Sequence, residues 1–333
     1  VGADFVPVDF HLRWHDRQTR RAYRYLSWAT CALRFPRRGE YDVFLTDGPH
    51  IPPLILKQLG LLRTNQRVAA LLASEMLYFL KAGRYTERST RAILAALERF
   101  DALVCLGSYQ TELAQELLDG RIRKPRIWTG QEGIFDKVRA CVSTVRPRLD
   151  GNRLVFIGNQ NAGWGTFYKG LDLLLDTFAL AAERRPELTL DIVGDWNSDT
   201  ERSLRDRLGK HTTNVRFLGR LTDLREPLSQ AALCVHLARG DASPISVVEA
   251  MVAGLPALVS VETGRRDDAA RVHNRLVVPL DAVTAAERIL WYLDLDSREK
   301  YRLSQRAREV AAFYSEDNAV STFQSIIDQL RSA

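Results

Sequence analysis

No run in the 333-residue chain approaches the roughly 18 consecutive apolar residues that a membrane-spanning helix needs. The first residues, VGADFVPVDFHLRWHD, lack the basic-then-apolar layout of a signal peptide, which predicts a cytoplasmic protein. Cysteine is scarce. Cys31, Cys105, Cys141 and Cys234 are far apart, with no CxxC and no neighbouring pair of histidines, which argues against disulfides and a structural zinc site. Cys105 and Cys234 sit inside apolar runs and read as core. Internal repeats and low-complexity segments are missing. So are helix-turn-helix, finger and aromatic RNP patterns, which leaves nucleic-acid binding resting on net charge alone.

What remains is the balance of a soluble globular protein, with 46% hydrophobic and 26% charged residues and length enough for two ordinary domains. The net charge of +6, carried mostly by arginine, favours anionic partners. Residues 4–10 read as a short strand. In residues 11–38, Tyr23, Leu26, Trp28, Cys31, Leu33 and Phe35 alternate with Arg13, Arg17, Arg20, Arg21, Arg24 and Arg34. Two readings stay open for that segment: an amphipathic helix held at an anionic membrane surface, or a surface helix with arginine on its solvent face.

From residue 41 onward, strands and helices alternate. Strands are expected at 41–46, 67–73, 102–106 and 126–129, with helices at 54–61, 87–100 and 112–118 between them. The polar stretch 146–152 breaks the rhythm and predicts a linker. The pattern then restarts, with strands at 154–158, 188–194, 215–218, 231–238, 257–261 and 276–279. Helices fall at 170–184, 201–208, 282–294, 297–313 and 318–331. This order predicts an α/β protein with two parallel, doubly wound sheets.

Residues 238–260, ARGDASPISVVEAMVAGLPALVS, organise the second half. An apolar strand centred on Cys234 and Val235 gives way to the acidic loop at Asp241. Ser243 is expected to cap a helix and Pro244 to fill its first position. Ile245, Val248, Met251 and Val252 recur at helical spacing; Gly254 ends the helix and Pro256 prevents its return. His236 lies mid-strand and reads as core. A strand, an acidic loop, a helix N-terminus and a further strand make an anion site at a sheet's carboxyl edge, which asks for a phosphorylated ligand.

These residues resemble a family. VFIG with Lys169-Gly170, LDLLLDTFALAAERRPELTLDIVGD, VRFLGR, then DASPISVVEAMVAGLPALVS, Thr263-Gly264 and LVVP follow the order seen in the retaining nucleotide-sugar glycosyltransferases of family 4 (glycosyltransferase group 1). The resemblance covers roughly 160 residues; before residue 148 it is weaker, carried by YDVFLT and the residues around Asp101–Tyr109. It implies the GT-B fold, two Rossmann-like domains whose parallel sheets face across a cleft. Residues 1–148 would form an acceptor domain, shortened at its start and completed by the helix at 315–333. Residues 151–314 would form the donor domain.

The resemblance also implies roles. Lys169 would be a cation at the donor diphosphate, Asp241 would meet hydroxyls of the transferred sugar, and Glu249 would accept hydrogen bonds from the ribose. Gly158, Asn159, Gly170, Ser243, Pro244, Ile245, Ser246, Val247 and Arg220 would line the donor site, with the N–H groups of 245–247 aided by the helix dipole. Asp47, His50, Ser74 and Glu75 are acceptor-side candidates by their place at strand ends. Asn159 stands where the family has arginine, so Arg220, Arg239 and Arg265 are candidates for the missing cation; Asp241 replaces the usual glutamate. The implied activity is transfer of a hexose, with retention, from a UDP- or GDP-linked donor to a glycan or lipid-linked acceptor. No metal and no cofactor are expected. The alternative is a catalytically reduced nucleotide-sugar-binding or scaffolding protein of the same fold.

Overall fold

The computed structural model describes residues 41–49, 52–160 and 165–332. The strand expected at 4–10, the arginine-rich segment 11–38 and His50 lie outside the described residues. Four strands, β1 (Val43–Asp47), β2 (Arg67–Leu72), β3 (Ala102–Leu106) and β4 (Arg126–Gly130), pair in parallel in the order β1-β2-β3-β4. Every residue of β3 is buried, as expected of a central parallel strand covered on both faces. The connecting helices are α1 (Pro52–Gln58), α2 (Met76–Lys81), α3 (Glu87–Leu97) and α4 (Ser108–Leu117). Leu77, Leu97 and Leu113 pack from these helices against Val68, Leu103 and Cys105.

After α5 (Asp136–Ser143) the chain enters a second sheet, of β5 (Arg153–Ile157), β6 (Thr189–Val193), β7 (Val215–Gly219), β8 (Leu233–His236), β9 (Ala257–Ser260) and β10 (Val277–Val278). Its order is β10-β9-β8-β5-β6-β7, with every pairing parallel. The winding reverses between β5 and β8, and ligands of such sheets bind outside the carboxyl ends at that crevice. Its helices include α6 (Gly165–Tyr168), α7 (Leu171–Arg184), α8 (Ser198–Leu208), α9 (Arg225–Gln230), α10 (Ile245–Val252), α11 (Arg266–Val272), α12 (Ala282–Leu293) and α13 (Ser297–Ala311).

α7 forms because Leu171, Leu174, Leu175, Phe178, Ala181 and Ala182 recur every three or four residues and are all buried. Asp172 in its first turn and Arg184 in its last match the helix dipole. α10 stops where Gly254 takes φ +85°, and Leu255 N–H returns to the Ala250 carbonyl at 2.9 Å.

The two lobes exchange elements. Ile134, Val142 and Val145, around α5, belong to the second core. The last helix, α14 (Glu316–Arg331), returns to the first sheet and sets Ile326 and Leu330 on Ala69, Ala102 and Val104. Ser315 caps it through Asn318 N–H at 3.2 Å, and Arg331 pairs with Asp42 at 2.9 Å. No helix among the described residues is long and apolar enough to cross a membrane.

Candidate active site

The carboxyl edges of the two sheets meet. From the first domain, Tyr78 of α2 lies against Gly240, so close that a Cβ there would sit 2.1 Å from the ring. Phe79 lies 6.0 Å from the Tyr168 ring, and Gly107 approaches the carbonyls of Ala242 and Gly264. Ser108 bonds Asp267, and Arg266 bonds Glu112 and covers the Tyr109 ring at 5.2 Å. Most of these contacts join helices that follow first-sheet strands, α2 and α4, to α6, α11 and the loop after β8.

At the centre lies Asp241, only 5% exposed. Its Oδ2 accepts from Lys169 Nζ at 2.7 Å and lies 2.8 Å from His236 Nε2; Tyr168 OH donates to Oδ1 at 3.3 Å. Burial alone would raise the Asp241 pKa, but Lys169 and His236 overcome it and hold the carboxyl below the usual range. His236 is buried as its apolar strand suggests, and its ring is stacked on Phe156 at 5.7 Å. It also carries a polar bond that an apolar run does not announce.

Local geometry fixes Lys169. Gly170 adopts φ +67°, and a Cβ there would fall 1.8 Å from the Leu237 carbonyl oxygen. Arg239 N–H bonds the Tyr168 carbonyl at 2.8 Å, so the turn carrying Lys169 is tied to the chain leaving β8.

α10 differs from expectation at its start. Pro244 occupies the N-cap position and no side chain caps the helix. The Ser243 hydroxyl instead accepts from the Arg265 guanidinium, which also reaches Glu132 at 3.0 Å. Val247 N–H is taken by the Pro244 carbonyl at 3.1 Å, which leaves Ile245 and Ser246 N–H in the first turn without an intrahelical acceptor. Ser246 Oγ donates to the Ile157 carbonyl at 3.0 Å and locks the helix start to the end of β5. Glu249, half-buried on α10, has no side-chain partner among the described residues, and burial pushes its pKa up.

The side chain of Asn159 accepts from Asp195 N–H at 2.9 Å, which joins the turns after β5 and β6. Gly158 precedes it, its N–H bonded to the Val193 carbonyl at 2.9 Å. Among the arginines considered for the missing cation, Arg239 is paired with Asp172 at 2.7 Å, and Arg265 is 3% exposed and held by Glu132, Ser243 and Asp268. Arg220 is left exposed just past β7 at the same carboxyl edge.

Of the acceptor-side candidates, Glu75 begins α2 and its charge reaches Tyr168. Asp47 and Ser74 are exposed and not drawn into the cluster. Glu132 had no sequence signal beyond following β4, yet it faces Ser243 and feels the Asp241 charge; burial raises its pKa. Among the described residues no group of three or more His, Cys, Asp or Glu could hold a metal ion.

Two Rossmann-like domains meeting edge to edge in this way make the GT-B glycosyltransferase fold, and solved structures of that class superpose on the chain. Anabaena HepE, in complex with UDP and glucose, has a TM-score of 0.69 at 17% identity, covering 92% of this chain and 82% of that one. WaaG, a glycosyltransferase involved in lipopolysaccharide biosynthesis, has a TM-score of 0.66 at 19% identity, covering 97% and 86%. TarM of S. aureus, in complex with UDP, has a TM-score of 0.67 at 14% identity, covering 92% and 58%.

Residues 151–294 match the family Glycosyl transferases group 1. The phosphatidyl-myo-inositol mannosyltransferase of Mycobacterium tuberculosis is 31% identical over 121 residues, 34% of this chain. That match spans 30% of the relative's own length.

Proposed function

We propose that the chain transfers a hexose from a UDP- or GDP-linked donor to a glycan or lipid-linked acceptor, with retention of configuration and without a metal ion. Glu249 carries the reading. A carboxylate withdrawn from water without a donor is unfavourable unless a ligand supplies one. Ribose hydroxyls are such donors, and this carboxylate lies one turn beyond the open N–H groups of α10. The diphosphate would lie over those N–H groups and within reach of Lys169. As the bond from the sugar to the phosphate breaks, negative charge grows on the departing oxygen, and fixed positive potential there lowers the barrier. Asp241 would hold sugar hydroxyls. The acceptor would enter from the first domain past Glu75, with Asp47 and Ser74 further out; closure of the cleft would keep water out.

One observation favours a second reading, a nucleotide-sugar binder without turnover: Asn159 holds a backbone N–H where the resembling family has a phosphate cation. Calorimetry with UDP, GDP and their sugars, beside a mass-spectrometric assay for transfer and donor hydrolysis, separates the two. Transfer establishes the enzyme, binding without turnover establishes the binder, and absence of both removes the donor site.

Glu249→Gln gives a sharper check. Nucleotide affinity is expected to fall about 100-fold, since a charged acceptor of two hydroxyls becomes a neutral one. Thermal stability is expected to rise. The folded pKa lies above the ordinary carboxylate value, so the unfolded chain ionises first and stability is lost as pH rises from the unfolded to the folded value. The neutral amide removes that loss. Melting curves and calorimetry on the same sample test both halves.

A further inference from the structure

Asp241 is a buried acid with more donors than a loop carboxylate needs. Lys169 and His236 share its Oδ2 at 2.7 and 2.8 Å, and Tyr168 reaches Oδ1 at 3.3 Å. Lys169 and Asp241 together are neutral, with side-chain exposures of 16% and 7%. A cation that must meet a diphosphate is therefore already committed to an acid. If it turns to the phosphates, Asp241 is left with an imidazole and a phenol. A buried carboxylate stripped of its counter-charge is strongly disfavoured.

We propose that His236 is a positioning residue that takes over Asp241 when Lys169 turns to the donor diphosphate, so that donor binding draws one proton from solvent onto the imidazole. The inference rests on the reading of Lys169 as the diphosphate cation. Its balance is simple. Before binding, Lys169 (+1) and Asp241 (−1) cancel and His236 donates Nε2–H as a neutral ring. After binding, Lys169 cancels phosphate charge, and the imidazolium, protonated at Nδ1, cancels Asp241. Histidine is the side chain suited to such a change near neutral pH. Its place is rigid: mid-strand in β8, ring-stacked on Phe156 with 8° between the planes.

Among the described residues, the surroundings offer Asp241 no other cation. β5 presents the Phe156 ring, and β9 sets Val259 in register with His236. Arg239 and Arg265 are engaged by Asp172 and Glu132. Glu132 from the first domain and Glu75 through Tyr168 add only negative charge near the cluster.

The test is calorimetry of UDP-glucose and GDP-mannose on the full chain, whose phosphates carry no proton that titrates near neutrality. Titrations at pH 7 in phosphate and in Tris report protons exchanged through the buffer's own ionisation heat. Wild type is expected to take up about half to one proton, and Kd to weaken up to about tenfold per pH unit above neutrality. His236→Gln keeps a donor for Asp241 but cannot be protonated. It is expected to bind with a buffer-independent enthalpy and a flat pH profile. Histidine-labelled wild type gives a second view that needs no variant: one of the six imidazoles should change to the charged form on donor binding.

Wild-type binding with no buffer dependence overturns the proposal and leaves the donor site standing. Uptake that persists undiminished in His236→Gln places the proton elsewhere and also overturns it. Failure of either nucleotide sugar to bind defeats the donor-site reading, and this inference with it.

Discussion

Lys169→Ala is expected to lower turnover about 1,000-fold while weakening donor affinity only about tenfold. Removing one preorganised positive contact from a developing oxyanion costs about 100- to 1,000-fold in other enzymes, and Lys169 is a full charge rather than a dipole. Ground-state affinity falls less because the charge on the leaving oxygen grows only as the bond breaks. The variant has a second effect. Asp241 loses the lysine counter-charge, and breaking a buried pair from one side costs about 3–5 kcal/mol. His236 and Tyr168 still donate to the carboxylate, which places the loss toward the lower end.

Lost folding and lost chemistry would look alike in a single assay. The double variant Lys169→Ala/Asp241→Asn removes the stranded charge as well. Its melting temperature is expected to recover most of the difference, and its turnover none of it. Nucleoside diphosphate release, measured well below the melting transition of each variant, separates the two effects. Turnover near wild type in either variant would take Lys169 out of the chemistry.

Most of the frame that holds this lysine could be read from the chain. Residues 102–106 read as a strand and are β3 to the residue, because Gly107 with φ +85° and the all-buried ALVCL bound it sharply. Gly254 and Pro256 mark the end of α10 for the same reason. Short elements fared worse. α2 and α5 have six and eight residues, too few for a helical period to stand out.

In the site, the failures are those of long-range pairing. Ser243 has the local signature of a cap, yet Arg265, 22 residues further on, takes its hydroxyl. Arg239 and Arg265 look like free cations in sequence, and the fold spends both on carboxylates from other elements. His236 is the instructive case: burial was legible from its neighbours, and the bond to Asp241 was not. A polar side chain in a fully buried strand must find a partner, so the sequence poses the question that only the fold answers.

Gly170→Ala carries the largest expected structural effect, and it tests whether the turn before α7 is what aims Lys169. The residue sits at φ +67°, where a Cβ costs about 1–2 kcal/mol by itself. The added carbon would also lie 1.8 Å from Leu237 O and 2.4 Å from Leu237 C. Those atoms are backbone at the end of β8, so no side chain can swing aside. Either β8 and α7 part, or the turn unwinds and takes with it the bond from Leu174 N–H to the Gly170 carbonyl at 2.9 Å.

A loss of about 3–5 kcal/mol is expected, at the severe end for a single methyl. In protein that still folds, turnover should drop at least about 100-fold, because a shift near 1 Å in a catalytic group has that effect. Gly83→Ala is the matched control. Gly83 ends α2 at φ +64°, where Gly83 N–H to Leu80 O and Arg84 N–H to Phe79 O mark the left-handed position after a helix. Nothing lies within 4 Å of its added Cβ, so it meets the backbone cost alone, about 1–2 kcal/mol with activity intact. If the two variants melt together, the close approach to Leu237 is not what this position demands. If Gly170→Ala melts far lower, the methyl-sized gap between α7 and β8 is what sets Lys169 beside Asp241.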